Sequence, residues 1–438
     1  MGPWLDSVTS WLTTNPQWLG LAVFIVACVE CLAIAGIIVP GTVLLFAIAV
    51  LAGSGALSLG QTLLLGFLGG LLGDMLSYAL GRRFHQNIRR LPLLRTHPEW
   101  MTGAENYFQR YGIVSLIVGR FIGPLRPMLP MVAGMCDMPL PRFILVSLLA
   151  GAGWSVAYLL PGWATGAAIR LPLPENFWPQ AAIVAVSIAA LLGLSIHANV
   201  RRQPKATLLI GTLSLALLGA VFFGYSHMAA FDQGISTLVQ EHRSSTMDML
   251  AVLVTQIGNF RTQLLAAALV CALLFFNKQW RALIFFGGVT LFTAIANTAT
   301  KHFFARMRPD VLLDPLTSYS MPSGHSSGSF AFFLALAILA GREKPQRMRI
   351  TCVLIGCLLA MTVAMSRIYL GAHWPTDIMA GAFLAITVNA FALALTQRYM
   401  VLTPVPVKVW WMILPSCAAL YGFFMLSHLS KELLRYAY

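Results

Sequence analysis

LAVFIVACVECLAIAGIIVPGTVLLFAIAVLAG, residues 21–53, holds two apolar runs that meet at a proline and a glycine. The first run is close to the length of a membrane-crossing helix, which needs roughly 20 apolar residues. Pro40 ends this run, because proline lacks a backbone N–H and blocks continuation of a helix. In lipid such a break survives only where protein or water satisfies the freed backbone groups. The stretch therefore predicts a re-entrant hairpin.

The whole chain has the composition of a membrane protein. Of its 438 residues, 58% are hydrophobic and 10% are charged, and the mean hydropathy is +0.76. Those values lie outside the range of soluble globular proteins. Further apolar runs, such as residues 180–196, recur along the sequence. We therefore predict an all-α polytopic membrane protein, in which residues 1–16 form a short amphipathic helix on the membrane surface.

A second interrupted segment lies at residues 111–135, where arginines and prolines break an apolar run. Basic residues also mark the stretches 82–110 and 201–205 (RRQPK). If both stretches are cytoplasmic, the hairpin at 21–53 enters the membrane from outside and the one at 111–135 enters from inside. That is the layout of an inverted-repeat transporter with a site near the membrane midplane. We expect residues 1–200 to form such a domain, followed by RRQPK as a cytoplasmic linker.

Residues 206–438 form the second predicted domain, and its basic loops indicate its topology. Residues 277–281 and 341–349 are rich in lysine and arginine, as cytoplasmic loops are. This clustering accounts for the net charge of +14 without a nucleic-acid partner. Seven spans are predicted, at residues 206–226, 262–277, 282–300, 324–341, 350–366, 376–396 and 408–427.

Three polar clusters fall at span ends that this topology places on the outer side of the membrane: residues 301–309, 322–325 and 366–377. A buried cation or carboxylate without a partner is costly. We therefore expect a chain this apolar to use these groups. One alternative is that they only stabilise turns outside the membrane. Their shared membrane side favours one common site instead.

Three cations, Lys301, Arg308 and Arg367, indicate that this site binds phosphate. Phosphoryl transfer spreads negative charge over three oxygens, so its catalysis depends mostly on positioning and electrostatics. Ser323 and Gly324 lie where a helix is predicted to begin, and the free N–H groups of a helix N-terminus bind anions. Glycine there lets the backbone approach the anion closely. We expect all five residues to bind the phosphate of the substrate.

Two histidines in different clusters suit the two chemical roles that remain. Asp377 lies four residues after His373, within reach of its ring. A carboxylate on one ring nitrogen holds the tautomer that leaves the other nitrogen free to attack. We assign His373 as the nucleophile, Asp377 as its orienting residue and His325 as the general acid. No cluster has carboxylates or Cys/His spacing suited to a metal, so we expect no metal and no cofactor.

The second half resembles the type-2 phosphatidic acid phosphatase (PAP2) superfamily over roughly residues 205–400. The three motifs of that superfamily are present without departure, as K-x6-RP from Lys301, PSGH at 322–325 and SR-x5-H-x3-D from Ser366. The resemblance implies metal-independent dephosphorylation of a lipid phosphate or pyrophosphate through a phosphohistidine. Related haloperoxidases hold vanadate in the same pocket, but they are soluble. The span at 408–427 is additional to the usual six.

Four charged residues, Glu30, Asp74, Arg120 and Arg126, lie inside apolar segments of the first half. Ionisable groups at membrane depth are functional candidates, and we predict that these four form a transport site. The alternative is two structural ion pairs that lock the hairpins. The two interpretations are compatible, because a transport site needs the same scaffold. A CxxC pair at residues 28–31 has no soluble redox context and is not assigned a redox role.

The first half resembles the DedA family, also described as SNARE-associated or VTT-domain proteins, over roughly residues 15–200. GRFIGPLRPMLPMVAG at 119–134 and G-D-x3-Y-x2-G-R at 73–82 carry the resemblance. It implies that a phospholipid or polyprenyl phosphate is moved between the leaflets. One departure is Thr42, which stands where members often carry an acidic residue, and this leaves proton coupling open.

The two resemblances together imply a lipid transporter fused to a lipid phosphatase, as a multi-pass protein of the bacterial inner membrane. We expect the phosphatase to cleave undecaprenyl pyrophosphate at the periplasmic face, and the first half to return undecaprenyl phosphate to the inner leaflet. The alternative substrates are phosphatidate and phosphatidylglycerophosphate. In that alternative the first half is a phospholipid scramblase or a non-transporting anchor or dimerisation module. The expected partners are the lipid phosphate or pyrophosphate and the bilayer, without nucleic acid, and homo-oligomerisation is left open.

Overall fold

The computed structural model of the protein describes residues 10–33, 35–38, 41–85, 98–120, 125–171, 173–200, 205–314 and 316–437. Every regular element in these ranges is helical, which confirms the predicted all-α class. Several predicted features lie outside the described residues: most of the N-terminal amphipathic helix, Pro40, part of the basic stretch 82–110, and most of RRQPK. Of the N-terminal helix, residues 10–14 are described and are helical.

The chain divides into two compact units, residues 1–172 and 173–438. The described helices of the first unit are α1 (Leu19–Cys31), α2 (Ala35–Ile38), α3 (Gly41–Leu51), α4 (Leu59–Phe84), α5 (Pro98–Tyr111), α6 (Ile113–Gly119), α7 (Leu125–Met135) and α8 (Leu140–Arg170).

Both interrupted segments of the first unit contain short helices, although α1 already ends at Cys31 and Pro130 lies inside α7. At 1.5 Å per residue, α1 and α3 are about 20 Å and about 16 Å long. Each is therefore shorter than the hydrocarbon core of a bilayer, about 30 Å. The helices α1 and α3 contact each other, and so do α6 and α7. The breaks support the hairpin prediction, while re-entry into the membrane remains a prediction.

Helix α4 holds the first unit together because its glycines let α1 approach closely. A Cβ atom on Gly69 would lie 2.2 Å from the carbonyl oxygen of Phe24, and one on Gly73 would lie 2.3 Å from that of Cys28. Small residues at helix contacts are typical of membrane proteins, where close packing drives association. A capping box between Ser58 and Gln61 begins α4. The close packing brings Asp74, on the same helix, beside the broken segments.

The described helices of the second unit are α9 (Phe177–Val200), α10 (Ala206–Gly224), α11 (Ala229–Glu241), α12 (Ser245–Ile257), α13 (Phe260–Phe276), α14 (Trp280–Phe304), α15 (Gly324–Ala340), α16 (Gln346–Tyr369), α17 (Pro375–Tyr399), α18 (Val407–Ser427) and α19 (Leu429–Arg435). All seven spans predicted for residues 206–438 coincide with one of these helices.

The second unit begins at Leu173, whereas the sequence placed the division at RRQPK. The reason is the packing of α9, which contacts α10 and α11. The Phe177 ring stacks on that of Phe231, with centroids 6.4 Å apart. Gln180 also accepts a hydrogen bond from the Phe231 N–H at 2.8 Å. The compact second unit therefore begins before the run of basic residues at which the sequence placed the division.

The described helices include seven that are long and apolar enough to cross a membrane, so the chain is a multi-pass membrane protein. Two of these, α4 and α8, are in the first unit. The pair α12 and α13, bent by 44°, passes the same test when it is taken together. The predicted span at 324–341 corresponds to α15, which has 17 residues and is shorter than a usual span.

The ends of four helices in the second unit carry the three polar clusters. The first cluster begins in the last turn of α14, the second begins α15, and the third joins α16 to α17. These helices pack in one apolar core that includes Phe286, Phe330 and Phe383. The core fixes the helix ends relative to one another, and thereby the side chains of the clusters.

Candidate active site

Helix α14 delivers the first cluster, because Lys301 lies in its last turn. Ala305 adopts the left-handed backbone conformation, with φ of 45°, and ends the helix. The chain then turns so that Arg306 and Arg308 point back towards the third cluster. Arg306 donates to Asp377 Oδ1 at 2.8 Å, and Arg308 donates to the Ala372 carbonyl at 2.5 Å. The first and third clusters therefore form one site.

Arg308 is held by contacts on both sides of its guanidinium. Its Nε donates to the carbonyl oxygen of Ser318 at 2.7 Å, and its Nη2 donates to the Ser318 hydroxyl at 2.9 Å. Its Nη1 lies 3.0 Å from Nε2 of His373. Burial and the nearby Arg367 charge lower the pKa of Arg308 to about 10, which leaves it charged at neutral pH.

The contact with Arg308 identifies the tautomer of His373. A guanidinium only donates hydrogen bonds, so Nε2 of His373 must accept and carry no proton. The proton of the neutral ring is then on Nδ1. This is the tautomer in which Nε2 has a free electron pair for attack. The His373 side chain is almost fully buried, at 2% exposure.

Asp377 lies on the Nδ1 side of His373, but it has closer partners. The distance between Nδ1 and Oδ2 is 3.5 Å, and Nδ1 has no hydrogen-bond partner among the described residues. Oδ2 accepts instead from the Trp374 N–H at 2.9 Å, as a capping-box carboxylate does at the third position of a helix. The role of Asp377 in orienting His373 remains a prediction. The hydrogen bond that it requires needs only a small adjustment of the His373 ring.

The second cluster forms the N-terminus of α15. The Ser323 hydroxyl accepts from the Ser326 N–H at 3.4 Å, and the Ser323 N–H donates to the Asp377 carbonyl at 3.0 Å. The first N–H groups of a helix have no partner within it, so those after Ser323 suit an anion. A Cβ atom on Gly324 would meet nothing closer than Asn297 Oδ1, at 3.5 Å. His325 follows at the second position of the helix.

The charges of the site converge on His373. Burial lowers the pKa of His373 well below its usual value of 6.5, and the positive charges of Arg308, Arg367 and Lys301 add to this effect. His325 is a further, smaller cause that lowers the pKa of His373. The structure thus brings the two histidines, the three cations and the N-terminus of α15 close together, while their roles stay predictions.

This environment gives a pH prediction. A lowered pKa means that His373 gains its proton only at a pH well below 6.5, so the neutral ring needed for attack persists on acidification. The measurement is kcat/KM from about pH 5 to about pH 8. We expect any fall in kcat/KM on the acid side that is due to protonation of His373 to occur well below pH 6.5. The substrate phosphate should be titrated separately by phosphorus NMR. An acid limb at or above pH 6.5 that the substrate titration does not explain would contradict the prediction.

Sequence reasoning missed a buried network behind His373, centred on Arg306. Besides Asp377, Arg306 binds Asp232 Oδ2 at 2.7 Å and the Thr376 hydroxyl at 2.7 Å. Asp232 in turn accepts from the Thr376 N–H at 2.9 Å. Asp232 is an acidic residue in an otherwise apolar part of α11, a signal that could have identified it. Arg306 lies inside the K-x6-RP motif, at a position that the motif leaves free.

The four charged residues of the first unit are also brought together. Asp74 pairs with Arg120, and Glu30 pairs with Arg126, with all four side chains buried. Both guanidinium groups lie over the Trp154 ring, with Cζ at 5.2 Å for Arg120 and 4.9 Å for Arg126. Two buried ion pairs therefore meet at one aromatic ring. Cys28 and Cys31, nearby, are free thiols.

A small cavity adjoins the ion pairs of the first unit. Its lining includes Asp74, Arg120 and Arg126, together with Pro130 of α7 and Ser147 of α8. The Nε atoms of both arginines are buried and have no hydrogen-bond partner within the described ranges. Buried donors of this kind are costly unless an acceptor reaches them.

Comparison with known protein families and proteins gives matches in both units. A family model described as the VTT domain matches residues 39–164, and one described as the PAP2 superfamily matches residues 281–400. Inner membrane protein YabI of Escherichia coli K12 is 39% identical over 161 residues, which cover 37% of this chain and 63% of YabI. The chain thus spans less than two thirds of YabI. An uncharacterized membrane protein of Buchnera aphidicola subsp. Acyrthosiphon pisum is 32% identical over 195 residues, which cover 44% of this chain and 75% of that protein.

A solved structure is similar to part of this chain as well. It is a transmembrane PAP2-type phosphatidylglycerolphosphate phosphatase from Bacillus subtilis, 23% identical in sequence. The alignment covers 45% of this chain and 97% of that protein, with a TM-score of 0.38.

Proposed function

Because the chain belongs to the VTT-domain (DedA) family through its first half and to the PAP2 superfamily through its second, we propose that it is a lipid phosphatase joined to a lipid-phosphate transporter. The observation that carries the phosphatase proposal is the buried His373, whose Nε2 lies 3.0 Å from Arg308 Nη1 and which is also close to the charges of Lys301 and Arg367. Such a site offers a nucleophile and three positive charges for the phosphoryl oxygens.

The first chemical step is attack by His373 on phosphorus. In the free site Nε2 accepts a hydrogen bond from Arg308 Nη1, so an incoming phosphate oxygen must take over that donor. Nε2 then forms a bond to phosphorus while the bond from phosphorus to the leaving oxygen breaks. The leaving oxygen keeps the electron pair and takes a proton from His325, which acts as the general acid.

The second step returns the site to its starting state. Neutral His325 takes a proton from water, whose oxygen bonds to phosphorus. The bond between phosphorus and Nε2 of His373 breaks, its electron pair returns to the ring, and inorganic phosphate leaves. Asp377 stabilises the positive charge that the ring gains, from 3.5 Å away on the Nδ1 side.

Side-chain cations supply the charge neutralisation that other phosphatases take from metal ions. The two buried carboxylates behind His373, Asp232 and Asp377, are both bonded to Arg306. Both carboxylates therefore already share a cationic partner and are not a free pair of metal ligands. We infer a metal-independent reaction.

We propose undecaprenyl pyrophosphate as the substrate, cleaved at the periplasmic side of the bacterial inner membrane. The names of YabI and of a second similar protein, YqjA, both from Escherichia coli, support that membrane. The substrate follows from what the two families share, a lipid phosphate. Phosphatidate and phosphatidylglycerophosphate are the alternative substrates, and the similar Bacillus subtilis protein is named for the latter.

We propose that the first unit binds the phosphate of a lipid through Arg120 and Arg126. Their unpartnered Nε atoms beside a cavity support this proposal, because phosphate oxygens are the acceptors that guanidinium groups fit best. The ion pairs with Asp74 and Glu30 also fit the alternative in which the four charges only lock the broken helices.

A substrate panel tests the phosphatase proposal. We expect purified protein in detergent to release phosphate from undecaprenyl pyrophosphate with a kcat/KM at least roughly tenfold above that for phosphatidate and phosphatidylglycerophosphate, which is about 1.4 kcal/mol of discrimination. Activity should be nearly unchanged in excess EDTA. Preference for a glycerophospholipid would select the alternative. Loss of activity in EDTA with recovery on adding magnesium would refute the metal-independent mechanism.

A further inference from the structure

The C-terminal tail, residues Leu429–Ala437, lies beyond the PAP2 match, which ends at residue 400. It follows the additional span α18 and contains α19. None of the three PAP2 motifs lies in it, so nothing in the family pattern assigns it a role. In the structure, however, the tail reaches Arg367 of the third motif.

Backbone and apolar contacts both dock the tail. The carbonyl oxygen of Ala437 accepts from the Leu313 N–H at 3.1 Å, and that of Tyr436 accepts from Arg243 Nη2 at 3.2 Å. The Tyr436 side chain packs in a buried cluster with Val252 and Leu370. Only 5% of Tyr436 is exposed, so its hydroxyl needs a partner inside the protein.

That partner is Arg367, one of the three cations of the site. Arg367 Nη1 lies 2.7 Å from the Tyr436 hydroxyl and 2.9 Å from the Thr255 hydroxyl. The Arg367 Cζ atom also lies 5.2 Å from the centroid of the Tyr436 ring. Arg367 is 2% exposed, so these contacts decide how its planar group is turned.

The contacts occupy one nitrogen of the guanidinium and leave its other edge unused. Both hydrogen bonds that Arg367 makes to described residues use Nη1, and its buried Nε has no partner among them. In a guanidinium the Nε–H and one Nη2–H point in the same direction and form a fork that fits two phosphate oxygens. A buried, unpartnered donor is expected to have an acceptor in the working state.

We propose that Tyr436 and Thr255 are positioning residues, which hold Arg367 by Nη1 so that its Nε–Nη2 edge faces the phosphate of the substrate. This inference rests on the proposed phosphatase function. It makes the tail part of the active site, although it is separated from the PAP2 match by the whole of α18. The tail thus completes a phosphate site that the three motifs alone leave incompletely oriented.

Tyr436→Phe tests this proposal, because it keeps the ring and removes only the hydroxyl. Losing one hydrogen bond to a buried charged group should lower kcat/KM roughly tenfold. Inhibition by inorganic vanadate, a probe for the phosphate pocket, should weaken by a similar factor. Tyr421→Phe is the matched control, since the Tyr421 hydroxyl is buried without a partner among the described residues. We expect the control to leave both values unchanged.

A double-mutant cycle separates positioning from mere docking of the tail. Lysine at position 367 keeps the charge but has no planar fork to orient. In the Arg367→Lys background, Tyr436→Phe should therefore cause no further loss. Thr255→Val should show the same pattern, because it loosens the same nitrogen. An equal loss in both backgrounds would overturn the proposal, and so would normal activity and vanadate inhibition in Tyr436→Phe. Absence of any phosphatase activity in the wild-type protein would instead refute the proposed function itself.

Discussion

His373→Ala should lower phosphate release by roughly three or more orders of magnitude, because it removes the proposed nucleophile and with it the covalent route. The structure strengthens this expectation by identifying Nε2 as the unprotonated nitrogen, held at 3.0 Å from Arg308 Nη1. The measurement is inorganic phosphate released from the preferred lipid substrate by purified protein. Trapping of radiolabelled phosphate on the wild-type protein, and its absence in His373→Ala, would report the intermediate directly.

His325→Ala provides the informative comparison. As the general acid, His325 is needed most when the leaving oxygen is a poor leaving group. His325→Ala should therefore lose most of its activity on lipid substrates and regain part of it on an aryl phosphate. His373→Ala should be inactive on both. His227→Ala is the matched control, since His227 is exposed and lies outside the three clusters. Near-normal activity in His373→Ala would refute the assignment.

Neutralising the Asp74–Arg120 pair should abolish lipid translocation and leave hydrolysis nearly intact. Arg120→Gln alone leaves Asp74 buried without its partner, which costs about 3–5 kcal/mol and confuses binding with folding. The double variant Asp74→Asn with Arg120→Gln removes both charges together and is the better test. Leaflet distribution of a labelled lipid monophosphate in proteoliposomes and phosphate release in detergent should be measured on the same preparation.

The outcomes separate the models of the first unit. If the double variant loses translocation and keeps hydrolysis, the result supports two independent sites. Their joining would then keep the product near the transporter at high effective concentration. Translocation kept in the double variant would make the ion pairs a structural lock. If a well-folded double variant loses hydrolysis, the result would contradict the two-site model. His373→Ala should show the converse pattern, with monophosphate translocation preserved.

The helices and the motif residues could be predicted from the sequence because their signals are local. Apolar runs and basic loops indicated the helices of the second unit that were predicted as spans, since burial in lipid acts on each segment separately. The spacing of His373 and Asp377 in SR-x5-H-x3-D fits a turn and the start of a helix. The three cations could be assigned for the same reason, because each lies in a short motif next to a span end.

The partners of those residues were decided only by the tertiary structure. Asp232 is 144 residues from Thr376 in sequence, and Thr255 is 112 residues from Arg367, so no local pattern links them. The same holds for the boundary of the second unit at Leu173, which depends on where Phe177 packs.

The sequence by itself thus indicated which helices form and which residues are candidates for the phosphate chemistry. The tertiary structure decided which of those groups are held, and by what: Arg306 binds the carboxylate of Asp377 more closely than His373 does, and Tyr436 holds Arg367 from the far end of the chain. The physical reason is that a hydrophobic run or a helix start is a property of consecutive residues. The orientation of a buried charge depends instead on side chains that meet only when distant helices pack.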